Sequence, residues 1–327
     1  MQKSEALEKR IFSISAKDEF NALALEIFSF QIENNPVYQK FCDYLGVEIE
    51  LVKKVEDIPY LPIELFKSHR ILTGNGDIEA TFESSGTTGA ETSKHHLLST
   101  SLYEKSFSNA FSQFYGNPGE YRILALLPNY LERQGSSLVY MVNHLIRESG
   151  NPESGFFLND TATLKKLLQK GSDKTTLLIG VSFALLDLVE AGKLPLQNTI
   201  IMETGGMKGR RKELTRAELH TALKSGFGVD NIHSEYGMTE LLSQAYASAN
   251  GEFKCPSWMN LSIRDINDPL SHAAEGKTGG LNVIDLANLN SCCFIATSDL
   301  GRKRVDGKVE ILGRFDYSDM RGCNLMV

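Results

Sequence analysis

Apolar and polar positions along this 327-residue chain change their period twice. Near the start, Phe20, Leu23, Ile27 and Phe30 recur at helical intervals. Ser15 and Asp18 stand at capping-box spacing ahead of them and Asn34-Asn35-Pro36 ends the run, so a helix is expected between. The stretch DIPYLPIELFKSHRILTG carries prolines at 59 and 62. A proline pushes the residue before it toward extended backbone, which argues for a connector. From about Thr81, short apolar runs alternate with helical stretches. Ile123 to Leu127 closes at Pro128, Leu177 to Ile179 precedes an apolar helical stretch from Phe183 to Val189, and Thr199 to Met202 leads into a Gly-Gly loop. Thr215 and Glu218 cap a further helix, expected to stop at Gly226. Buried strands alternating with helices predict a largely parallel sheet with helices on its faces. Beyond about residue 251 the runs shorten, at Leu281 to Ile284, Cys293 to Ala296 and Val309 to Leu312, and read as β-rich. The expected organisation is a helical part over residues 1–80, an α/β part over 81–250, a β-rich part over 251–316 and a tail over 317–327.

Composition narrows the class. Apolar residues make up 42% and charged residues 23%, as in an ordinary globular protein. The net charge of -7 and the lack of any Lys/Arg-rich block argue against a nucleic-acid partner. No run approaches the ~18 apolar residues of a membrane span. The opening MQKSEALEKRIFSIS has no apolar core or cleavage site, so no signal peptide is expected. Five cysteines without a C-x-x-C pair suggest neither a zinc site nor a disulfide framework, and a cytoplasmic location is expected.

Four strings carry chemistry. In Ser84-Ser85-Gly86-Thr87-Thr88-Gly89, two glycines permit a tight turn and four hydroxyls add donors, which together suit a phosphate cradle. No Gly-Lys-Ser/Thr follows, so it is not a Walker loop. In Tyr236-Gly237-Met238-Thr239-Glu240, an aromatic face suits a nucleobase, a hydroxyl a phosphate oxygen and a carboxylate Mg²⁺. Asp299 in SDLG offers two acceptor oxygens to a ribose diol, and Arg314 in GRFD offers a clamp for ribose or phosphate. Taken singly these strings also read as a surface turn, a loop-to-helix junction, an Asx-turn and a surface ion pair.

Their order resembles the core motifs of the ANL superfamily, which comprises acyl-CoA synthetases, adenylation domains and luciferases. Glu203-Thr204-Gly205-Gly206 is similar to the segment lining the adenine pocket, and EGKTGGLNVIDL to a strand signal of that family. The resemblance covers roughly residues 58–323. It implies an α/β fold, the ANL-type large N-terminal domain of two α/β lobes plus a small distorted β-barrel, and ATP and Mg²⁺ as cofactors. It also implies roles: Ser84 to Gly89 for the phosphate loop, Gly205 and Gly206 bordering adenine and Tyr236, beside Gly237, stacking on it. Thr239 would hold the α-phosphate, Glu240 the metal, Asp299 and Arg314 the ribose and nearby phosphate, with Asp316 on the hinge.

The chain departs from that pattern after Asp316, where eleven residues remain and the C-terminal lid domain with its lysine is expected to be absent. Lys94, Lys208 and Arg321 are candidate replacement cations. The LuxE-like acyl-protein synthetase branch resembles this chain more closely, through the proline-containing connector, LLPNYLERQGSS and the closing Arg321-Gly322-Cys323. In that branch a cysteine near the C-terminus receives the acyl group, a role that falls on Cys323; Arg321 beside it would lower the thiol pKa. The expected activity is ATP-dependent activation of a carboxylic, fatty acid and its transfer to a thioester. An acyltransferase, reductase or carrier protein would be the next partner. Alternatives are a ligase using coenzyme A or a carrier thiol, and a non-catalytic nucleotide- or acyl-binding subunit. Leu127 to Ser137 is read as part of the acyl wall, His95 and His96 as solvated loop, His233 as structural, and Cys292 and Cys293 as buried, inert thiols.

Overall fold

The computed structural model describes residues 2–84, 91–129, 135–205, 214–304 and 307–314. Three helices open the chain: α1 (Gln2–Ile11), α2 (Lys17–Asn34) and α3 (Pro36–Tyr44). In α2 the apolar stripe from Phe20 to Phe30 is buried, as its period predicts. The cap lies one residue later than the sequence suggested. Ala16 is the N-cap, and Glu19 reaches back to accept from Ser15 N, Ser15 Oγ and Ala16 N at 2.8, 2.9 and 3.2 Å. Half of a capping box suffices because the carboxylate satisfies the orphan N–H of the N-cap residue. Asn35 ends α2 and caps α3, accepting from Tyr38 N at 3.1 Å, with Pro36 at the first position where its missing N–H costs nothing.

The proline connector is largely extended, as expected, but contributes β1 (Leu61–Pro62) and the single turn α4 (Leu65–Ser68). An antiparallel pair follows, β2 (Ala80–Glu83) with β3 (Lys94–Leu97), and then α5 (Thr100–Tyr115). The central sheet is built from β4 (Tyr121–Leu126), β5 (Gly155–Phe156), β6 (Thr175–Val181), β7 (Thr199–Thr204), β8 (His233–Tyr236) and β9 (Ala245–Ala247). Its order is β5-β4-β6-β7-β8-β9, parallel throughout except for β9. Helices α6 (Ser137–Ser149), α7 (Thr161–Lys170), α8 (Ser182–Glu190) and α9 (Arg216–Phe227) cover it.

Alternation along the strands divides this sheet into two faces. Ile123, Leu177, Ile179 and Met202 point into the core shared with α5, α6 and the N-terminal helices. Leu124, Leu126, Leu178 and Ile201 point into a separate core with α7, α8 and α9. Gly226 does not end α9, which runs to Phe227 and closes at Gly228 with φ +65. Its missing side chain instead admits Val189 of α8, since a Cβ there would fall inside the valine.

The second sheet contains β10 (Glu252–Phe253), β11 (Met259–Arg264), β12 (Thr278–Asp285), β13 (Phe294–Lys303) and β14 (Val309–Arg314), with β1 parallel to β13. The other pairings are antiparallel, and register shifts at Gly280/Asn282 and Leu300/Gly301 bend it. The β-rich end expected from the sequence is present. Among the described residues no helix is long and apolar enough to cross a membrane.

Candidate active site

The sequence-selected residues converge where the C-terminal end of β8 meets β13 and β14. Asp299 and Arg314 are register partners across the antiparallel ladder. Arg314 Nε lies 3.7 Å from Asp299 Oδ1, the arginine side chain 84% exposed and the aspartate 14%. The carboxylate is therefore a fixed point, and the guanidinium is free to swing onto a ligand. From the central sheet, Tyr236 Oη donates to Asp299 Oδ2 at 2.7 Å. Burial raises the Asp299 pKa, opposed by the Tyr236 hydrogen bond and by the charges of Arg314, Arg216 and Arg264. Burial, then the Asp299 charge, push the Tyr236 phenol well above its ordinary value.

Arg216 belongs to this group and was missed from the sequence. It is the first residue of α9, yet Nη1 donates to Ile311 O of β14 at 2.7 Å, Nε lies 3.4 Å from Glu203 Oε1, and the guanidinium sits 4.8 Å over Phe253. Phe253 meets Tyr236 edge-on at 6.0 Å. Burial alone would raise the Glu203 pKa, but His220 and Arg216 bring it below the ordinary value. No local motif marks Arg216, because its partners lie on β7, β10 and β14.

Thr239 and Glu240 follow β8 in a segment held by its backbone. His95 Nδ1 bonds Thr239 O at 2.9 Å, and Asn288 Nδ2 bonds Glu240 O at 2.8 Å. Leu242 N donates to Asp285 Oδ2 and Asn288 Oδ1 at 2.9 and 3.0 Å, and Ser243 N to Asp285 Oδ2 at 2.8 Å. Burial pushes Asp285 up to about 6, against these donors. The Glu240 side chain is buried, which raises its pKa; a Ser93 hydrogen bond and the charge of Arg314 oppose that, and Asp299 adds to it. The mutual influence of Glu240, Asp299 and Arg314 marks one electrostatic neighbourhood. His95 is not solvated loop. It is 1% exposed on β3, and burial pushes it down to about 4. The strand alternation of β3 turned a pair of apparently similar histidines into one buried and one half-buried residue.

The opposite face of β7 and β8 is apolar below and polar above. Phe111, Ile123, Met141, Leu177, Met202 and Tyr246 line a small cavity between the central sheet and helices α5 and α6. Above it, Thr204 Oγ1 donates to Glu235 Oε2. Burial pushes Glu235 up to about 7, opposed by Thr204 and helped by Glu203. Gly237 has no space for a side chain, since a Cβ would lie 2.5 Å from Glu235 Oε1. Ser136 caps α6, so the tail of the expected acyl wall positions the helix that supplies Met141.

Other candidates are placed as follows. Ser84 Oγ accepts from Ser93 N at 2.9 Å and Ser84 N donates to Ser93 O at 3.0 Å, pairing the first residue of the expected phosphate loop with a residue beyond it. Ser85, Gly86, Thr87, Thr88 and Gly89 lie outside the described residues, as do Gly206, Lys208, Asp316, Arg321 and Cys323. Gly205 is exposed with φ +69, and its carbonyl accepts from Ser182 Oγ at 2.7 Å. Lys94 is not brought to Thr239 and Glu240. It neighbours His95 on a strand and so points to the other face, where it lies 3.7 Å from Glu83. Cys292 and Cys293 are fully buried and burial raises both thiols, so both are inert as expected. No cluster of three or more His, Cys, Asp or Glu side chains occurs among the described residues. Mg²⁺ asks for one or two carboxylates with phosphate oxygens completing the shell, and a buried carboxylate such as Glu240 fits that need.

This mixed α/β domain has the architecture of the ANL adenylate-forming ligases. Over 93% of this chain, it superposes on 72% of a 2-hydroxyisobutyryl-CoA ligase crystallised with 2-HIB-AMP and CoA, with a TM-score of 0.69 at 13% identity. It also matches ATP-bound MatB from Rhodopseudomonas palustris, with a TM-score of 0.55 and 19% identity over 74% of this chain. It spans about half of MatB, 49% of that chain. At these identities the likeness is one of fold. Sequence carries the comparison further: the family model of the acyl-protein synthetase LuxE matches residues 6–113. A long-chain-fatty-acid–luciferin-component ligase of Vibrio harveyi is 25% identical over 91% of this chain and 84% of its own length. The corresponding ligase of Photorhabdus luminescens is 35% identical over 68 residues. The resemblance drawn from the motifs is borne out.

Proposed function

We propose that this protein uses ATP to activate a carboxylic acid as its acyl-adenylate and passes the acyl group to a cysteine thiol. The observation that carries the reading is the convergence of Tyr236, Asp299 and Arg314 with the Thr239-Glu240 segment in one electrostatic neighbourhood. Asp299 would take the ribose hydroxyls, and Arg314 and Thr239 would steady the phosphate. A fatty acid is the first substrate to test, because the Vibrio harveyi relative is named for long-chain fatty acids.

In this mechanism the substrate carboxylate attacks the α-phosphorus, the bond to the β-phosphate breaks and pyrophosphate leaves. The charge that builds on the phosphorus oxygens meets preorganised donors, which act most strongly where water is excluded. Glu240 would hold Mg²⁺, which supplies charge neutralisation at the phosphates. A thiolate then attacks the acyl carbonyl and AMP leaves, so activation is preserved as a thioester. Cys323 is the proposed acceptor, and an acyltransferase or reductase the proposed next partner. Acid-dependent pyrophosphate release, measured over a panel of straight-chain acids, tests the reading. Release that needs both ATP and an acid supports it, and release with no acid in the panel overturns it.

A further inference from the structure

The candidate site rests on a buried polar scaffold that the assigned roles do not use. Its centre is His95, which joins the two halves of the polar network: the Thr239–Ser243 segment on one side and the loop at residues 288–291 on the other. Thr239 O can only accept, so the 2.9 Å bond fixes the proton on His95 Nδ1. With the ring neutral, Nε2 is the acceptor, and Ser291 Oγ donates to it at 2.8 Å. Ser291 is itself fixed. Its carbonyl accepts from Gln31 Nε2 at 3.3 Å, from Asn35 Nδ2 at 2.7 Å and from Thr73 Oγ1. The same loop supplies Asn288, which holds Glu240 O and Leu242 N. The ring of His95 is also packed edge-on against Phe66 at 5.6 Å.

We infer that His95 is a positioning residue for the adenylation step: it fixes the Thr239 carbonyl and thereby the side chains of Thr239 and Glu240. The inference rests on the proposed function for its catalytic consequence, and on geometry alone for its structural one. His95 belongs to β3, one residue beyond Lys94 and close after Ser93, which pairs with Ser84. One side chain therefore ties this strand to the backbone between the Thr239 hydroxyl and the Glu240 carboxylate. One end of the tie is a bond to the buried, already committed Ser291 and the other to the half-buried Thr239 backbone, so the fixed end holds the other in a single arrangement. A displacement of about 1 Å at a reacting group costs on the order of 100-fold in rate, so the tie is felt in turnover more than in binding.

Two substitutions separate positioning from bulk stability. His95→Phe keeps ring volume and the Phe66 contact but removes both bonds, and His95→Asn returns a donor near the Nδ1 position. Two readouts are taken on the full chain: amide exchange of Leu242 and Ser243 by mass spectrometry, and kcat and KM for pyrophosphate release. The inference predicts exchange at these amides about tenfold faster in His95→Phe, with protection along β4 and β6 unchanged. It predicts kcat lower by about 10- to 100-fold, KM for the acid within about twofold, and most of both losses recovered in His95→Asn. Unchanged exchange in His95→Phe overturns it. So does loss of kcat in parallel with melting temperature in both variants, which marks a role in stability only. A wild type that releases no pyrophosphate with any acid defeats the proposed function instead, and the exchange result still decides whether His95 holds the segment.

Discussion

Tyr236 Oη donates to Asp299 Oδ2 at 2.7 Å, joining the end of the parallel sheet to the middle of the antiparallel one. The bond sets one carboxylate oxygen of Asp299 and leaves Oδ1 facing Arg314. A ligand diol can still use Oδ1 and the second lone pair of Oδ2. Asp299→Asn is expected to weaken ATP binding by about 10- to 100-fold, the worth of hydrogen bonds to a charged group, and Tyr236→Phe by only a few fold. Isothermal calorimetry with ATP measures both, and an Asp299→Asn protein that binds as well as wild type rules out the ribose role.

Glu235 provides a pH test. Burial lifts its carboxyl from 4.5 to about 7. Between those values the folded protein holds a proton that the unfolded chain has released. Its contribution to stability is full below pH 4.5 and is lost as pH rises through 7. Glu235→Gln removes the titration. Comparing denaturant unfolding at pH 5 and pH 8, the wild type should lose about 2 to 3 kcal/mol relative to the variant across that interval. Parallel pH profiles would show that Glu235 is not the neutral, buried acid described above.

Gly226→Ala sets helix propensity against packing. Alanine favours a helix interior by about 1 kcal/mol over glycine. Here the added Cβ would fall inside Val189, and overpacking costs about 1–3 kcal/mol. The expected result is a lower melting temperature, and a higher one would mean that α8 and α9 are not in contact at this point.

That glycine also shows where the sequence could and could not be read. Period and turn chemistry located α2, β4, β6, β7, α8 and the β-rich end, because Phe20 to Phe30, Ile123 to Leu127 and Leu177 to Ile179 are buried as runs. A glycine near a helix end signals a stop, but at Gly226 it serves a neighbour more than thirty residues away in the chain, and only the fold reveals it. The same holds in the site. Tyr236, Glu240, Asp299 and Arg314 were legible through ordered motifs. His95, Arg216, Asp285 and Asn288 were not, since each acts through contacts on elements remote in sequence. Lys94 was legible as a cation near the phosphate segment, but strand alternation turns it away from Thr239 and Glu240.

Glu240→Gln isolates the metal role. The buried carboxyl is already raised in pKa, so the neutral amide should fold at least as stably as wild type. Pyrophosphate release at saturating Mg²⁺ is expected to fall by about 100-fold or more, the usual loss when a preorganised charge is removed. A variant with full activity and unchanged Mg²⁺ dependence would remove Glu240 from the site.

Transfer of the acyl group to Cys323 is tested by the intact mass of the protein after incubation with ATP, Mg²⁺ and a fatty-acid series, wild type beside Cys323→Ser. The expected result is an acyl increment on the wild type that hydroxylamine removes and that the variant lacks. Pyrophosphate release without any increment on the wild type would contradict transfer to Cys323 and place the acyl acceptor outside this chain.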